Sequence, residues 1–469
     1  MVGDVGIGAS AGEQRVSRSE ARVDLDWLAE RIDYRRFQEC VHCGLCTASC
    51  PTYLETGDEN DSPRGRIYLM RSVVDGRLAL SDPVRTHLDR CLDCRACESA
   101  CPSGVQYGRL IEPFKVAMQT RSEGKSGRPS WLLRLILHHV FPYAGRVRVA
   151  LAPARLLQRL GLFERAEAAG LLNLLPGTLR RLAAMLPDGL QTGERLPEVL
   201  PPIGPRRARV AFFTGCVADA MYPATHAATA RVLQRNGCEV VVPRGQVCCG
   251  AIHYHSGAEA PALQMARRNL AAFDPEAFDA IIVNAAGCGA MLKDYDHLLP
   301  ASERPAAERF VAKVKDVHEF LIELGPVPPA GRLPLRLTYH DACHLCHGQQ
   351  IRTAPRQLLG MIPGVELVPL EETEICCGAA GTYNLTQPDM SRRLGERKVD
   401  RIVETGAACV ATGNVGCIIQ IDKIARQRGC GIEVVHPMDL LDRAYRAGDA
   451  VAGPARPLAQ AEELVGSAG

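Results

Sequence analysis

Two short cysteine runs constrain this chain more than any other part of it. The first is Cys40-Val-His-Cys43-Gly-Leu-Cys46-Thr-Ala-Ser-Cys50-Pro51, and the second is Cys91-Leu-Asp-Cys94-Arg-Ala-Cys97-Glu-Ser-Ala-Cys101-Pro102. Both read C-x2-C-x2-C-x3-C-P. Two-residue spacers let three thiolates turn inward around one cubane, while nearby backbone N–H groups face its sulfurs. The fourth cysteine sits past the loop, at a helix start, and faces the partner site, as in two-cluster bacterial carriers. Proline after it ends the ligand loop and suits the first helical position. The expected ligand sets are therefore Cys40, Cys43, Cys46 and Cys101 for one [4Fe-4S] cluster, and Cys91, Cys94, Cys97 and Cys50 for the other. Structural zinc is the alternative, since C-x2-C also suits it. Zinc needs two pairs per site, and a triple followed by C-P, twice over, fits it poorly. His42 reads as a loop residue tuning the first cluster and not as a ligand.

The runs account for eight of the 20 cysteines in 469 residues. In a chain this long they are not the staples of a small secreted scaffold, and no secretory signal precedes them. Reduced thiols in the cytoplasm are the expectation. Residues 1–30 read as a flexible leader. The net charge of +2 carries no bulk sign of a nucleic-acid partner. No apolar run is long enough for a transmembrane helix; Trp131 to Phe141 is short and broken by Arg134, His138 and His139.

Between the runs, Ser62-Pro63 reads as a helix start with Ile67, Leu69 and Met70 as apolar positions. Arg64 and Arg66 are either partners of the negatively charged clusters or ordinary surface arginines. From Arg128 to Arg209 the chain has thirteen arginines, five acids and no lysine. Leu156, Leu157, Leu160 and Leu162, then Leu171, Leu172, Leu174 and Leu175, are spaced for amphipathic helices. Such a stretch suits an anionic membrane surface, a partner subunit, or a packed linker with a solvated Arg face. Pro-rich residues 196–205 mark a domain boundary.

The C-terminal half repeats itself. Cys216, Cys248, Cys249 and Cys288 recur as Cys343, Cys376, Cys377 and Cys417, at offsets of 127, 128, 128 and 129. Short apolar runs at 210–213, 239–242 and 280–284 read as strands, with helices at 219–236 and 259–273 and a C-cap at Gly237. The second copy places strands at 335–339, 365–368 and 409–412. Alternating strands and helices imply parallel sheets with right-handed crossovers, with sites beyond the strands' carboxyl ends. Each cysteine tetrad falls there. Adjacent cysteines do not readily pair with each other. Two adjacent and two distant thiolates instead suit a further iron–sulfur cluster or metal; zinc or a redox dithiol are the alternatives. His253, His255, His340, His344 and His347 lie near these loops and read as hydrogen-bonding neighbours. Cys238, Cys409 and Cys430 read as buried apolar residues, and Cys346 as a spare ligand.

These motifs resemble the iron–sulfur subunit of glycolate oxidase (glycolate dehydrogenase). The resemblance spans about residues 35–445 and is closest at Cys40–Tyr53, at Ser62-Pro-Arg-Gly-Arg-Ile-Tyr-Leu and at Cys376-Cys-Gly-Ala-Ala-Gly-Thr-Tyr. It implies an electron-transfer subunit of a flavin-dependent 2-hydroxy acid dehydrogenase. FAD-containing partner subunits then oxidise glycolate to glyoxylate, and electrons pass to a quinone or other membrane acceptor. Lactate and glycerol-3-phosphate dehydrogenases have equivalent subunits. Heterodisulfide reductase modules of this kind end in Cys-x-x-Cys; here the last position is Met291 or Gln420, against a five-cysteine cluster. No G-x-G-x-x-G opens a helix after a strand, so neither FAD nor NAD is expected on this chain, and no catalytic residue is assigned.

The expected fold is multi-domain α+β. A helical ferredoxin-type domain occupies 31–120 and a basic helical linker 121–205. Duplicated α/β Cys-Cys-Gly modules follow at 206–330 and 331–450, then a flexible tail at 451–469. A zinc-stabilised assembly protein without redox role is the alternative of another class. Peripheral attachment to the cytoplasmic face of the membrane is compatible with the linker.

Overall fold

The computed structural model describes residues 25–120, 135–187, 189–190 and 195–452. The leader before Leu25, the segment around Trp131 and the tail after Ala452 lie outside them.

The N-terminal unit is built from helices. Ser62 caps the helix Pro63–Val74 by accepting from the Gly65 N–H at 2.9 Å, as the Ser-Pro start predicts. Its apolar face, with Ile67, Met70 and Val73, packs on Leu28, Phe37, Leu88, Leu110 and Phe114. Pro51 opens the helix Pro51–Thr56 directly after Cys50. Pro102 departs from that expectation. Cys101 enters a turn closed by the Gly104 N–H on its carbonyl, and the next helix begins at Gly108. Gly104 at φ 69° turns the chain away before a helix can form.

The C-terminal half forms two sheets. The first has the order β1-β3-β2-β4-β5, with β1 Val199–Leu200, β2 Ala208–Phe213, β3 Cys238–Val241, β4 Ala280–Val283 and β5 Val314–Asp316. The second has the order β7-β6-β8-β9, with β6 Leu335–Tyr339, β7 Val365–Val368, β8 Cys409–Ala411 and β9 Glu433–Val435. Removing β1 leaves the same parallel order twice. The antiparallel edge strand β1 and the short β5 and β9 are additions to the sequence reading.

All four residues of β4 are buried, as a central parallel strand covered on both faces requires. Each of its isoleucines contributes about 1.5–3 kcal/mol by leaving water. The helix expected over 219–236 is two, Val217–Met221 and Pro223–Arg235. Pro223 supplies no N–H and restricts the residue before it, so the first helix ends at Met221. The modules join through the helices Pro223–Arg235 and Pro437–Ala452, where Arg231 grips Asp442 with two hydrogen bonds of 2.7 Å.

Candidate metal centres

The two N-terminal loops share one backbone device. His42 and Gly44 flank Cys43 with φ of 54° and 85°, and Asp93 and Arg95 flank Cys94 with φ of 56° and 62°. Left-handed residues on both sides of the middle cysteine curl each loop so that its thiols converge. For His42, Asp93 and Arg95 this conformation is strained. The Asp93 N–H already points at the Cys91 sulfur, at 3.4 Å.

The fourth cysteine of each run lies near the other run. Cys101 and Cys43 both act electrostatically on Cys40, while Cys50 acts on both Cys94 and Cys97. Burial pushes the Cys46 thiol up to about 11 and holds Cys94 and Cys97 well above the ordinary thiol value. So many buried thiols become thiolates only where cationic charge compensates them, and a metal centre supplies that. The donor set therefore fits iron–sulfur clusters. His42 is exposed and lies edge-on to Tyr68. Arg66 is no surface arginine: it is 1% exposed, and its Nη1 is 3.9 Å from the Cys50 sulfur. Arg64 stays at the surface, paired with Glu59 at 2.6 Å.

In the modules, both tetrads assemble at the carboxyl ends of the strands. Cys216 lies 3.4 Å from Cys248, whose N-terminal neighbours lead from β3. The Cys216 thiol donates to Cys248, which raises its own pKa and lowers that of Cys248. Cys249 interacts with Cys248 and Cys288. In the second module Cys343 lies 4.0 Å from Cys376, and Cys377 interacts with Cys376 and Cys417. Gly250 and Gly378 follow the adjacent cysteines at φ 91° and 83°; a Cβ on Gly378 would stand 2.7 Å from the Ser391 carbonyl. Lys398 is buried near Cys377, Cys376 and Cys417, and burial lowers its pKa to about 8.

The two tetrads face a single cavity of about 1290 Å³. Both sheets end there: the Ala286 N–H donates to the Gly413 carbonyl at 3.1 Å, joining the loops after β4 and β8. The roof is the linker, with Leu137, Phe141, Leu151, Leu157, Leu179 and Leu182 among the lining side chains. One face of the helix Ala144–Arg159 is tied down by Arg148 on Asp219 at 2.7 Å and Arg155 on the Ala220 carbonyl at 2.6 Å. Its other face exposes Leu156, Leu157 and Leu160, and the following segment exposes Leu171 and Leu174.

The N-terminal unit meets the second module at its second loop. Leu92 and Cys94 pack with Cys376 and Tyr383. His344 Nε2 bonds the Asp93 carbonyl at 3.0 Å, and Tyr383 donates to the Arg90 carbonyl at 2.8 Å. The second N-terminal loop thus adjoins the second tetrad, Cys91 and both tetrads line the cavity, and Cys43 is exposed.

Of the five loop histidines, His255, His344 and His347 hold the interface, contacting Asp93, the Asp93 carbonyl and Ser99. Cys238 and Cys409 are fully buried in matching strands. Cys430 departs from expectation and is only half-buried, because it sits in the turn before β9. Cys346 is buried with its sulfur on the Cys343 carbonyl at 3.8 Å. Gln420 donates to Ser391 at 3.0 Å, and Met291 is buried in the first module's core. Sequence reasoning missed Lys398 and the grouping of Arg95, Asp93 and Glu112 around His255. There Arg95 meets Glu112 at 2.5 Å and Asp93 at 3.1 Å, while burial, against the pull of Arg95, raises Glu112 to about 7. Arg95 at the position of Gly44 was the only local sign.

Among the described residues no helix is long and apolar enough to cross a membrane.

Comparison with known proteins agrees with this architecture. Residues 36–105 match the 4Fe-4S dicluster domain, and residues 210–293 and 337–422 each match the cysteine-rich domain. Residues 128–186 match the linker region of the glycolate oxidase iron-sulfur subunit. The chain is 41% identical to the probable glycolate oxidase iron-sulfur subunit of Bacillus subtilis, over 88% of this chain and 95% of that one. It is 35% identical to the glycolate oxidase iron-sulfur subunit of Escherichia coli, over 86% and 93%. Lactate utilization protein A of an Exiguobacterium species is 32% identical over 50% of this chain and 98% of its own. With the duplicated thiol tetrads, the paired N-terminal runs and these full-length relatives in agreement, the chain belongs to the glycolate oxidase iron–sulfur subunit family.

Proposed function

We propose that this chain relays electrons from FAD-containing partner subunits, which oxidise glycolate to glyoxylate, to a quinone. The observation that carries the reading is the packing of Cys94 against Cys376, beside an apolar-roofed cavity that both tetrads face. Cys40, Cys43, Cys46 and Cys101 hold one [4Fe-4S] cluster; Cys91, Cys94, Cys97 and Cys50 hold the second. The tetrads Cys216, Cys248, Cys249, Cys288 and Cys343, Cys376, Cys377, Cys417 hold further metal centres. When bound, such clusters exchange single electrons, which suits a flavin that gives up its pair one at a time.

The chain's own residues do the rest. Exposed Val41 and Leu45 surround Cys43 and offer an apolar landing surface for the flavin partner. At the other end, Leu157 and Leu179 both line the cavity and are exposed, so a lipophilic acceptor has an apolar way in. Exposed leucines flanked by Arg146, Arg159, Arg165 and Arg180 suit peripheral attachment to anionic lipid on the cytoplasmic face.

The test is the anaerobically purified complex, assayed with glycolate, lactate and glycerol 3-phosphate against a soluble quinone. Glycolate-dependent quinone reduction, lost in Cys43→Ala, is expected. Preference for another substrate would reassign the complex. A colourless chain with stoichiometric zinc and no iron would reject the electron relay altogether. Flotation with anionic but not neutral vesicles, weakened by Leu156→Glu with Leu160→Glu, is the expected membrane result.

A further inference from the structure

His340 stands apart from the other loop histidines. It follows the last residue of β6, three residues before Cys343, and is fully buried. A ring nitrogen of His340 and the sulfurs of Cys377 and Cys417 all lie within 4.8 Å of one another. Nδ1 is 3.0 Å from the Thr373 carbonyl oxygen. A carbonyl only accepts, so Nδ1 carries the ring proton and Nε2 is left with a bare lone pair. Nε2 is buried and has no hydrogen-bond partner. An unpaired buried acceptor is destabilising unless something binds it. A bare lone pair also cannot donate to a cluster sulfur, so hydrogen-bond tuning is not its role. Imidazole ligands of metals characteristically give their other ring N–H to a backbone carbonyl, which fixes tautomer and orientation. His340 has that arrangement before any metal is added.

The first module does not repeat it at the matching position. The residue three before Cys216 is Phe213, packed against Phe273 in the apolar core. The duplicated tetrads are therefore chemically unequal.

We propose that His340 Nε2 is a fifth protein ligand of the metal centre in the second module, alongside the Cys343, Cys376, Cys377 and Cys417 thiolates, at a position that Phe213 fills in the first module. The proposal rests on the reading above that this centre contains iron. A neutral imidazole in the fifth position leaves the centre less negative than a fifth thiolate would, so it takes up an electron more readily than a five-thiolate site.

The experiment is pulsed EPR on the purified, reduced full chain, with and without 15N-histidine labelling. The expected result is a nitrogen coupling of directly bonded strength on one cluster signal, which changes isotope on labelling. It should vanish in His340→Phe while the signals of the two N-terminal clusters persist. Because the labelled protein is unaltered in sequence, the test holds even where His340→Phe does not fold. His340→Cys should keep a cluster in this module, remove the nitrogen coupling and lower its midpoint potential. A module signal without histidine coupling would overturn the ligand assignment and leave the electron-relay reading intact. Iron confined to the two N-terminal clusters would overturn both the assignment and the iron reading of this module.

Discussion

Arg66 lies buried beside Cys50, its Nη1 3.9 Å from the thiol sulfur. The guanidinium also donates to the His87 carbonyl at 2.7 Å and to Thr52 at 3.0 Å, and meets Asp61 at 3.4 Å. Burial works against its charge, but Cys91, Tyr107, Cys50 and Asp61 outweigh that and hold its pKa above the ordinary arginine value. A fixed positive charge here favours the reduced, more negative state of a neighbouring cluster. Arg66→Met should lower the midpoint potential of the cluster on the Cys50 side and cost about 3–5 kcal/mol, as breaking a buried pair does. Arg66→Lys should keep more of the potential than of the stability, since the charge survives and the fork does not. An EPR redox titration and chemical denaturation check both; an unchanged potential in Arg66→Met refutes the electrostatic role.

The proposed crossed ligation makes a pairwise prediction. Cys101→Ala should remove the same EPR signal as Cys43→Ala, and Cys50→Ala the same signal as Cys94→Ala. Each should lower the iron content by up to about four per chain. If Cys101→Ala instead extinguished the signal lost in Cys94→Ala, each run would hold its own cluster.

Gly65 separates space from backbone strain. It is helical, and a Cβ there would stand 1.9 Å from the Glu59 carbonyl oxygen and 3.1 Å from the capping Ser62 hydroxyl. Gly65→Ala should therefore cost about 1–3 kcal/mol or more through overpacking. Gly76 has φ 69° and nothing within 4 Å of its added Cβ; Gly76→Ala should cost only about 1 kcal/mol, the left-handed backbone penalty. Urea denaturation of the two variants measures the difference, and equal losses would contradict it.

Asp439 gives the module interface a pH dependence. Burial raises its carboxyl to about 6, against the hydrogen bonds it accepts from the His436 N–H at 3.2 Å and Thr225 at 3.1 Å. The folded state keeps this proton after the unfolded state has lost it. The contribution is thus fully present below the unfolded value and is lost as pH rises through about 6. Between pH about 5.5 and about 7.5 the loss amounts to roughly 1 kcal/mol. Asp439→Asn should flatten that part of the stability profile, read from unfolding midpoints at the two pH values. A profile as steep as the parent's would show that other groups set it.

Both cysteine runs, the duplicated tetrads and six of the nine strands among the described residues were legible in the sequence, because each is encoded locally. C-x2-C spacing dictates a curled loop, and an apolar run of four or five residues beside a glycine turn dictates a buried strand. Strands β1, β5 and β9 escaped notice, since two or three residues carry no period. The break at Tyr222-Pro223 was hidden under a continuous helical pattern on both sides. Cys430 and Pro102 went astray for a shared reason: the turn geometry around them outweighed the residue type.

The sequence by itself determined where the cysteine runs and tetrads lie and that the modules are copies. Tertiary structure decided where those atoms sit relative to one another. Only the folded chain brings Cys94 beside Cys376, turns both tetrads onto one cavity, buries Arg66 against Cys50 and leaves His340 with an unpaired nitrogen beside Cys377. These contacts join residues far apart along the chain. They are selected by the packing of whole elements, whose combined burial outweighs any local preference, and no local pattern encodes them.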